Sequence, residues 1–187
     1  NFANKLWNAS RYVMMNLGED ATNALPATKD LTIADKWVLS KLNNLIAEVT
    51  ENLEKYEFGV AVQKVYDFLW DSYCDWYIEL TKSRLYDKDS EGNIVAQNVL
   101  GYVLTGTLKL LHPFMPFITE EIWQSLPHTG ESIMISDYPK YSEALDFSED
   151  EERMACLIAT IRAIRNLRSE MNVPPSKKAT VFIKSEK

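Results

Sequence analysis

Leu110–Trp123 reads LLHPFMPFITEEIW. An apolar helical run, from about Val95 to Leu111, leads into it. Pro113 and Pro116 then interrupt the run, because a proline lacks the N–H that a helix interior needs and its ring crowds the preceding turn. The chain must stop, turn and start a new helix. The new helix carries Ile118, Ile122 and Trp123 on one side. Glu120 and Glu121 are expected on its first turn, where the helix dipole favours negative charge. His112, next to Pro113 at an apolar helix end, is expected to be structural. A helix–kink–helix at this point makes the chain a helical protein.

The flanking sequence extends the pattern in both directions. Residues 2–17 carry Phe2, Leu6, Ala9, Val13 and Leu17 at helical spacing, and Gly18 is a plausible stop. Thr32 and Asp35 form a capping-box start. Trp37, Val38, Leu42, Leu45, Ile46, Val49 and Leu53 follow as one stripe, to about Tyr56. Gly59 to Leu85 is apolar nearly all round, as expected of a helix buried among others. Asp87–Asn93, DKDSEGN, reads as a turn. A last helix, about Glu149 to Met171, places Met154, Leu157, Ile158, Ile161, Ile164 and Leu167 inward and stops at Pro174 and Pro175. SIMISDY, Ser132–Tyr138, alternates like a strand, and ATVFIK, Ala179–Lys184, reads as a second.

Composition narrows the classes. The chain has 187 residues, 46% of them hydrophobic, and a net charge of −7. A wholly basic nucleic-acid binder is excluded, although a local basic patch is not. Cys74 and Cys156 have no metal or redox spacing, and Cys74 reads as a buried thiol. No apolar run approaches the ~20 residues of a membrane span. Sparse cysteine fits a reducing cytosol, so a cytoplasmic location is expected.

Three surfaces offer chemistry. The first helix has no carboxylate before Glu19 and places Asn4, Lys5, Asn8, Arg11, Tyr12 and Met15 on one face. Lysine and arginine bind phosphate, amides pair with base edges, and a tyrosine ring stacks on an unpaired base. An ordinary solvated face is the alternative. The second surface is CDWYIELTKSR, Cys74–Arg84. Glu79 could accept from the exocyclic amine of a base while Ile78 packs on it. Alternatively, Glu79 pairs with Lys82 or Arg84. The third lies between Arg153 and Lys187, where basic residues outnumber acidic ones eight to two. Arg162, Arg165 and Arg168 are the expected RNA-backbone contacts, against the alternative of a solvated helix face.

Enzyme chemistry finds little support. No Glu-x-x-His pair, glycine-rich phosphate loop or nucleophile elbow is present. Catalytic and metal-ligating residues are therefore expected to be absent, and a carboxylate metal enzyme stays only as a rival.

LLHPFMPFITEEIW resembles the helix–kink–helix of the anticodon-binding domain of class I aminoacyl-tRNA synthetases. NFANKLWNASRYVMMNL, ADKWVLSKLN, YCDWYIELTK and IRNLRSEMNVPPSKK are similar to the valine-specific branch, and NKLWNASRY with CDWYIE points to valine. The resemblance runs from Phe2 to Lys178. It implies that Lys5, Asn8 and Tyr12 contact the anticodon loop, with Ile78 and Glu79 completing the pocket. Arg11 is added from the geometry of the face. Valine anticodons share a middle adenine and a third-position cytosine.

The resemblance also implies that the chain is an internal piece lacking the catalytic and editing domains. The parent would join valine to its tRNA with ATP, and the piece would need no cofactor. Expected partners are valine tRNA and the missing catalytic domain, with no membrane, in a monomer. The expected fold is mainly α: an antiparallel helical bundle over residues 1–130, then a small, truncated α/β appendage over 131–187. A related isoleucine or leucine synthetase domain and a helical protein–protein module are the remaining alternatives.

Overall fold

The computed structural model describes residues 2–88, 90–174, 176–182 and 184. Its helices are α1 (Phe2–Asn16), α2 (Ile33–Glu54), α3 (Phe58–Asp67), α4 (Ile78–Tyr86), α5 (Glu91–Leu111), α6 (Pro116–Gln124) and α7 (Ser148–Glu170). Phe68–Tyr77, between α3 and α4, is π-helical. The chain forms two compact units, residues 1–151 and 152–187.

Helix α5 is the centre of the first unit. It packs against α1, α2, α3, α4 and α6. Val99, Leu100, Val103, Leu104, Leu108 and Leu111 are fully enclosed. Over Gly92–Leu111 the mean hydropathy reaches 1.3, long and apolar enough for a membrane span by length and composition alone. The expectation that no run approaches that length is therefore corrected. In this fold the segment's apolar surface is covered by neighbouring helices. α5 also begins earlier than expected, because Ser90 caps it by accepting from Gly92 N–H.

The kink forms at Leu111–Pro116. Phe114 and Met115 N–H both donate to Leu111 O, and Pro116 opens α6 at a position where a missing N–H costs nothing. His112 Nδ1 lies 2.8 Å from Thr119 Oγ1, whose own proton goes to Met115 O. Thr119 is buried, so this bond ties the two sides of the kink. Because α6 starts at Pro116, Glu120 and Glu121 sit beyond its first turn, and the expected dipole contact is not made. Glu120 instead accepts from Ser132 Oγ at 2.7 Å and Gln124 Nε2 at 2.7 Å, fastening the following loop.

Two expectations fail in the C-terminal third. Ser132–Tyr138 is not a strand. Ile133–Ile135 is one 3₁₀ turn, capped by Ser132, with Ile133 buried and Met134 and Ile135 exposed. One inward residue per turn imitated alternation. The described part of Ala179–Lys184 has no strand pairing, and Ile183 lies outside the described residues. The described residues are thus all-helical and the expected α/β appendage is not seen. Residues 131–151 group with the first unit, because Ser142 exchanges hydrogen bonds with Asn43 and Glu151 accepts from Ser40 and Asn44. In α7 only Met154 is buried. Leu157 and Leu167 are 44% and 57% exposed, so the expected inward stripe is largely uncovered.

One buried charge organises the first unit. Asp35 is 0% exposed. Its carboxylate accepts from Arg84 Nη1 at 2.8 Å and Nη2 at 2.6 Å, from Tyr77 Oη at 2.6 Å, and from Thr32 N–H and Oγ1. Burial alone would raise its pKa. The Arg84 guanidinium, helped by Tyr77 and Thr32, outweighs that and holds it below the ordinary value. A carboxyl lowered in the folded state stabilises above its unfolded pKa, and that stability is lost as pH falls through the folded value. The protein should therefore lose stability on acidification below about pH 4. Asp35→Asn should cost about 3–5 kcal/mol at neutral pH by leaving Arg84 uncompensated. It should also flatten the acid limb, as read from urea midpoints across pH.

Candidate nucleic-acid interface

Helix α1 lies along the π-helical segment and close to α4, so the first two sequence-predicted surfaces meet. Near the start of α1, Lys5 Nζ is 2.9 Å from Asp75 Oδ1 and 3.4 Å above the Trp70 ring. Trp70 stacks on Tyr66 at 5.5 Å between centroids, and Tyr66 meets Phe2 at 4.9 Å. A row of aromatics thereby holds this end of α1. Further along, Lys82 Nζ is 5.9 Å from the Tyr12 ring and 2.6 Å from Glu79 Oε1. Burial raises the Tyr12 hydroxyl pKa. Lys82 pulls it down, while Tyr86 and Glu79 push it up. Tyr12 is thus kept protonated, a hydrogen-bond donor with a half-covered ring.

The six predicted anticodon residues fare differently. Asn8 and Arg11 are exposed on α1 between Lys5 and Tyr12. Lys5 is present on the face but already engaged by a carboxylate and an indole. Glu79 is exposed and pairs with Lys82, which settles the choice that spacing left open; Arg84 goes to Asp35. Ile78, beside Glu79, is only 7% exposed and lies mostly beneath the surface. The π-helical segment that precedes α4 has more residues per turn than an α-helix and so shifts the phase at which the α4 side chains emerge. Nothing in FLWDSYCDWY marks that geometry beforehand.

Sequence reasoning missed several participants. Trp70, Asp75 and Tyr86 border the face, and only the phase of the π segment places the first two. At the ends of α1 and α4 a groove of about 560 Å³ is lined by Met15, Gly18, Leu85, Lys88, Ile94 and Gln97. Cys74, next to Asp75, has its thiol pushed up to about 11, chiefly by burial. A thiol raised this far gives little thiolate, the nucleophilic form, at neutral pH. Among the described residues no group of three or more His, Cys, Asp or Glu side chains gathers to hold a metal ion.

Arg162 and Arg165 are exposed on α7. Arg168 is half-buried and donates through Nη2 to Pro174 O and Lys177 O, each at 2.8 Å. It fastens the segment after the helix, where Asn172, at φ 53°, makes the left-handed turn. Its expected backbone contact would compete with that structural use.

Two substitutions separate the roles at the start of α1. Asp75→Asn should cost less than about 1 kcal/mol, because the Lys5–Asp75 pair is exposed. Trp70→Ala should cost more, by at least the ~0.5–1.5 kcal/mol of one aromatic pair. Chemical denaturation followed by circular dichroism checks both.

Comparison with known proteins gives this geometry a family. The family model described as "Anticodon-binding domain of tRNA ligase" matches residues 35–183. Valine–tRNA ligase of Clostridium tetani is 54% identical over 183 residues, covering 98% of this chain and 21% of that protein. The Clostridium perfringens enzyme is 55% identical over 182 residues, covering 97% and 21%. The Geobacillus stearothermophilus enzyme is 50% identical over 186 residues, covering 100% and 21%. The chain thus spans about a fifth of the length of the curated relatives it matches. Among solved structures, the ternary complex of Agrobacterium radiobacter K84 agnB2 LeuRS-tRNA-LeuAMS superposes with a TM-score of 0.57 at 19% identity. It covers 78% of this chain and 16% of that one, a likeness of fold alone. The chain belongs to the anticodon-binding domain family of tRNA ligases, and over nearly its whole length it is similar to the valine-specific ones.

Proposed function

We propose that this chain reads the anticodon loop of valine tRNA with the surface shared by α1 and α4. The observation that carries the reading is the approach of Lys82 to the Tyr12 ring beside Glu79. It joins the carboxylate-free face of α1 to an acceptor on α4. Tyr12 stacks on a splayed base, Asn8 and Arg11 contact base edge and phosphate, and Glu79 accepts from an exocyclic amine. Lys5 reaches phosphate only by leaving Asp75. Ile78 sets the floor. Single-stranded loops suit such a surface, because their bases expose edges that an A-form duplex hides.

Arg162 and Arg165 supply sequence-independent contacts to the tRNA backbone from the second unit. The parent ligase would join valine to this tRNA with ATP in the cytoplasm, through catalytic and editing domains that this chain does not contain. The α/β appendage expected after residue 130 would need a pairing strand for 179–184, which the described residues do not supply. A protein–protein module is the second reading. It would be favoured by a face indifferent to RNA.

Fluorescence anisotropy with labelled valine tRNA tests the proposal. Changing the middle anticodon base should weaken binding by about 1–3 kcal/mol, the scale of one lost base contact. Tyr12→Ala should remove most of that difference. Arg165→Ala should weaken all tRNAs alike and reduce the salt slope by about 1. Equal binding of both tRNAs, abolished together by salt, would sink the anticodon reading.

A further inference from the structure

Two buried amides on α5 link the ends of the two helices that carry the proposed reading face. Gly18 N–H, just past α1, donates to Gln97 Oε1 at 2.6 Å. Gln97 Nε2 donates to Asn93 Oδ1. Asn93 Nδ2 donates to Arg84 O at 2.9 Å and Leu85 O at 3.2 Å, in the last turn of α4. The Arg84 side chain then reaches Asp35 on α2. Asn93 and Gln97 are 7% and 9% exposed, four residues apart on one face of α5. Asn93 thereby satisfies two carbonyls of the last turn of α4 that have no partner within their own helix.

We infer that Asn93 and Gln97 are positioning residues for anticodon discrimination, fixing the separation and rotation of α1 relative to α4. The inference rests on the reading proposed above. Apolar side chains of the same volume would also fill the space. They would leave α1 free to slide or rotate, because apolar contact is non-directional. A hydrogen bond to the backbone at Gly18 specifies one position. Tyr12 lies six residues before Gly18, and Glu79 lies five before Arg84. A shift at the link therefore moves the ring and the carboxylate relative to each other. Neither amide needs to touch RNA. They act by preorganising the groups that do.

The test uses Gln97→Met, which keeps length and removes both bonds, and Gln97→Glu, which keeps the acceptor for Gly18. Val49→Ala, a truncation in the enclosed part of α2, serves as a stability-matched comparison. Each is titrated with valine tRNA and with the same tRNA changed at the middle anticodon base. Amide hydrogen exchange at Gly18 is followed in parallel. Gln97→Met should cut the affinity ratio between the two tRNAs by about tenfold, an observable step of ~1.4 kcal/mol, and speed exchange at Gly18. Gln97→Glu should restore much of the ratio, and Val49→Ala should leave it intact. If wild type discriminates and Gln97→Met discriminates equally, or if Val49→Ala loses as much, the amides only stabilise and the inference is overturned. If wild type does not discriminate, the anticodon reading itself fails and takes this inference with it. Should Gln97→Met not fold, Asn93→Asp, which removes the donor to the last turn of α4, is read against Gln97→Glu. Asn93→Asp should cut the ratio as Gln97→Met would, and an unchanged ratio in it overturns the inference.

Discussion

Asp35 carries its charge in a place without water, and the helices around it are arranged to make that tolerable. The carboxylate belongs to α2. Its guanidinium partner comes from α4, its phenol from the end of the π-helical segment, and its remaining donors from the N-cap of its own helix. Moving α4 leaves a buried charge unpaired, a far larger penalty than losing one apolar contact. Apolar packing makes the first unit collapse. The directional demands of this one group restrict how α2 and α4 can be set within it.

The same logic runs outward from Arg84. Its side chain faces α2 while its carbonyl faces α5, so the last turn of α4 is held on two sides. Helix α5 then passes the constraint to the end of α1 through amide side chains. The aromatic row of Phe2, Tyr66 and Trp70 secures the other end of α1. The proposed reading surface is thus carried by two helices, each held by directional contacts. Of the groups at the surface, Tyr12 and Lys82 are half-buried and Glu79 is exposed.

Legibility followed the length over which a rule repeats. The stripes of α1 and α2, the capping box at Thr32 and the proline kink could be read because each depends on neighbours within a turn or two. The face of α1 was legible for the same reason. The α4 face was legible only in part. The partner of Glu79 was undecided between Lys82 and Arg84, and the covering of Ile78 was not foreseen. Both depend on how the π-helical Phe68–Tyr77 leads into α4, and its altered periodicity has no local signature. The strand-like alternation at Ser132–Tyr138 failed for a related reason. Pairing requires a neighbouring strand, and among the described residues none exists.

By itself, the sequence determined that the chain is helical, where most helices begin and end, and which side of α1 is free of carboxylates. These are consequences of backbone chemistry and of spacing along one helix. Only the tertiary structure decided that Asp35 would be buried, that Arg84 would turn to it and leave Glu79 to Lys82, and that Lys5 would lie over Trp70 against Asp75. The Asp35–Arg84 and Lys5–Asp75 choices join partners tens of residues apart. Such choices are settled by which helices close around a charge once water has been excluded, and no spacing rule along the chain encodes that.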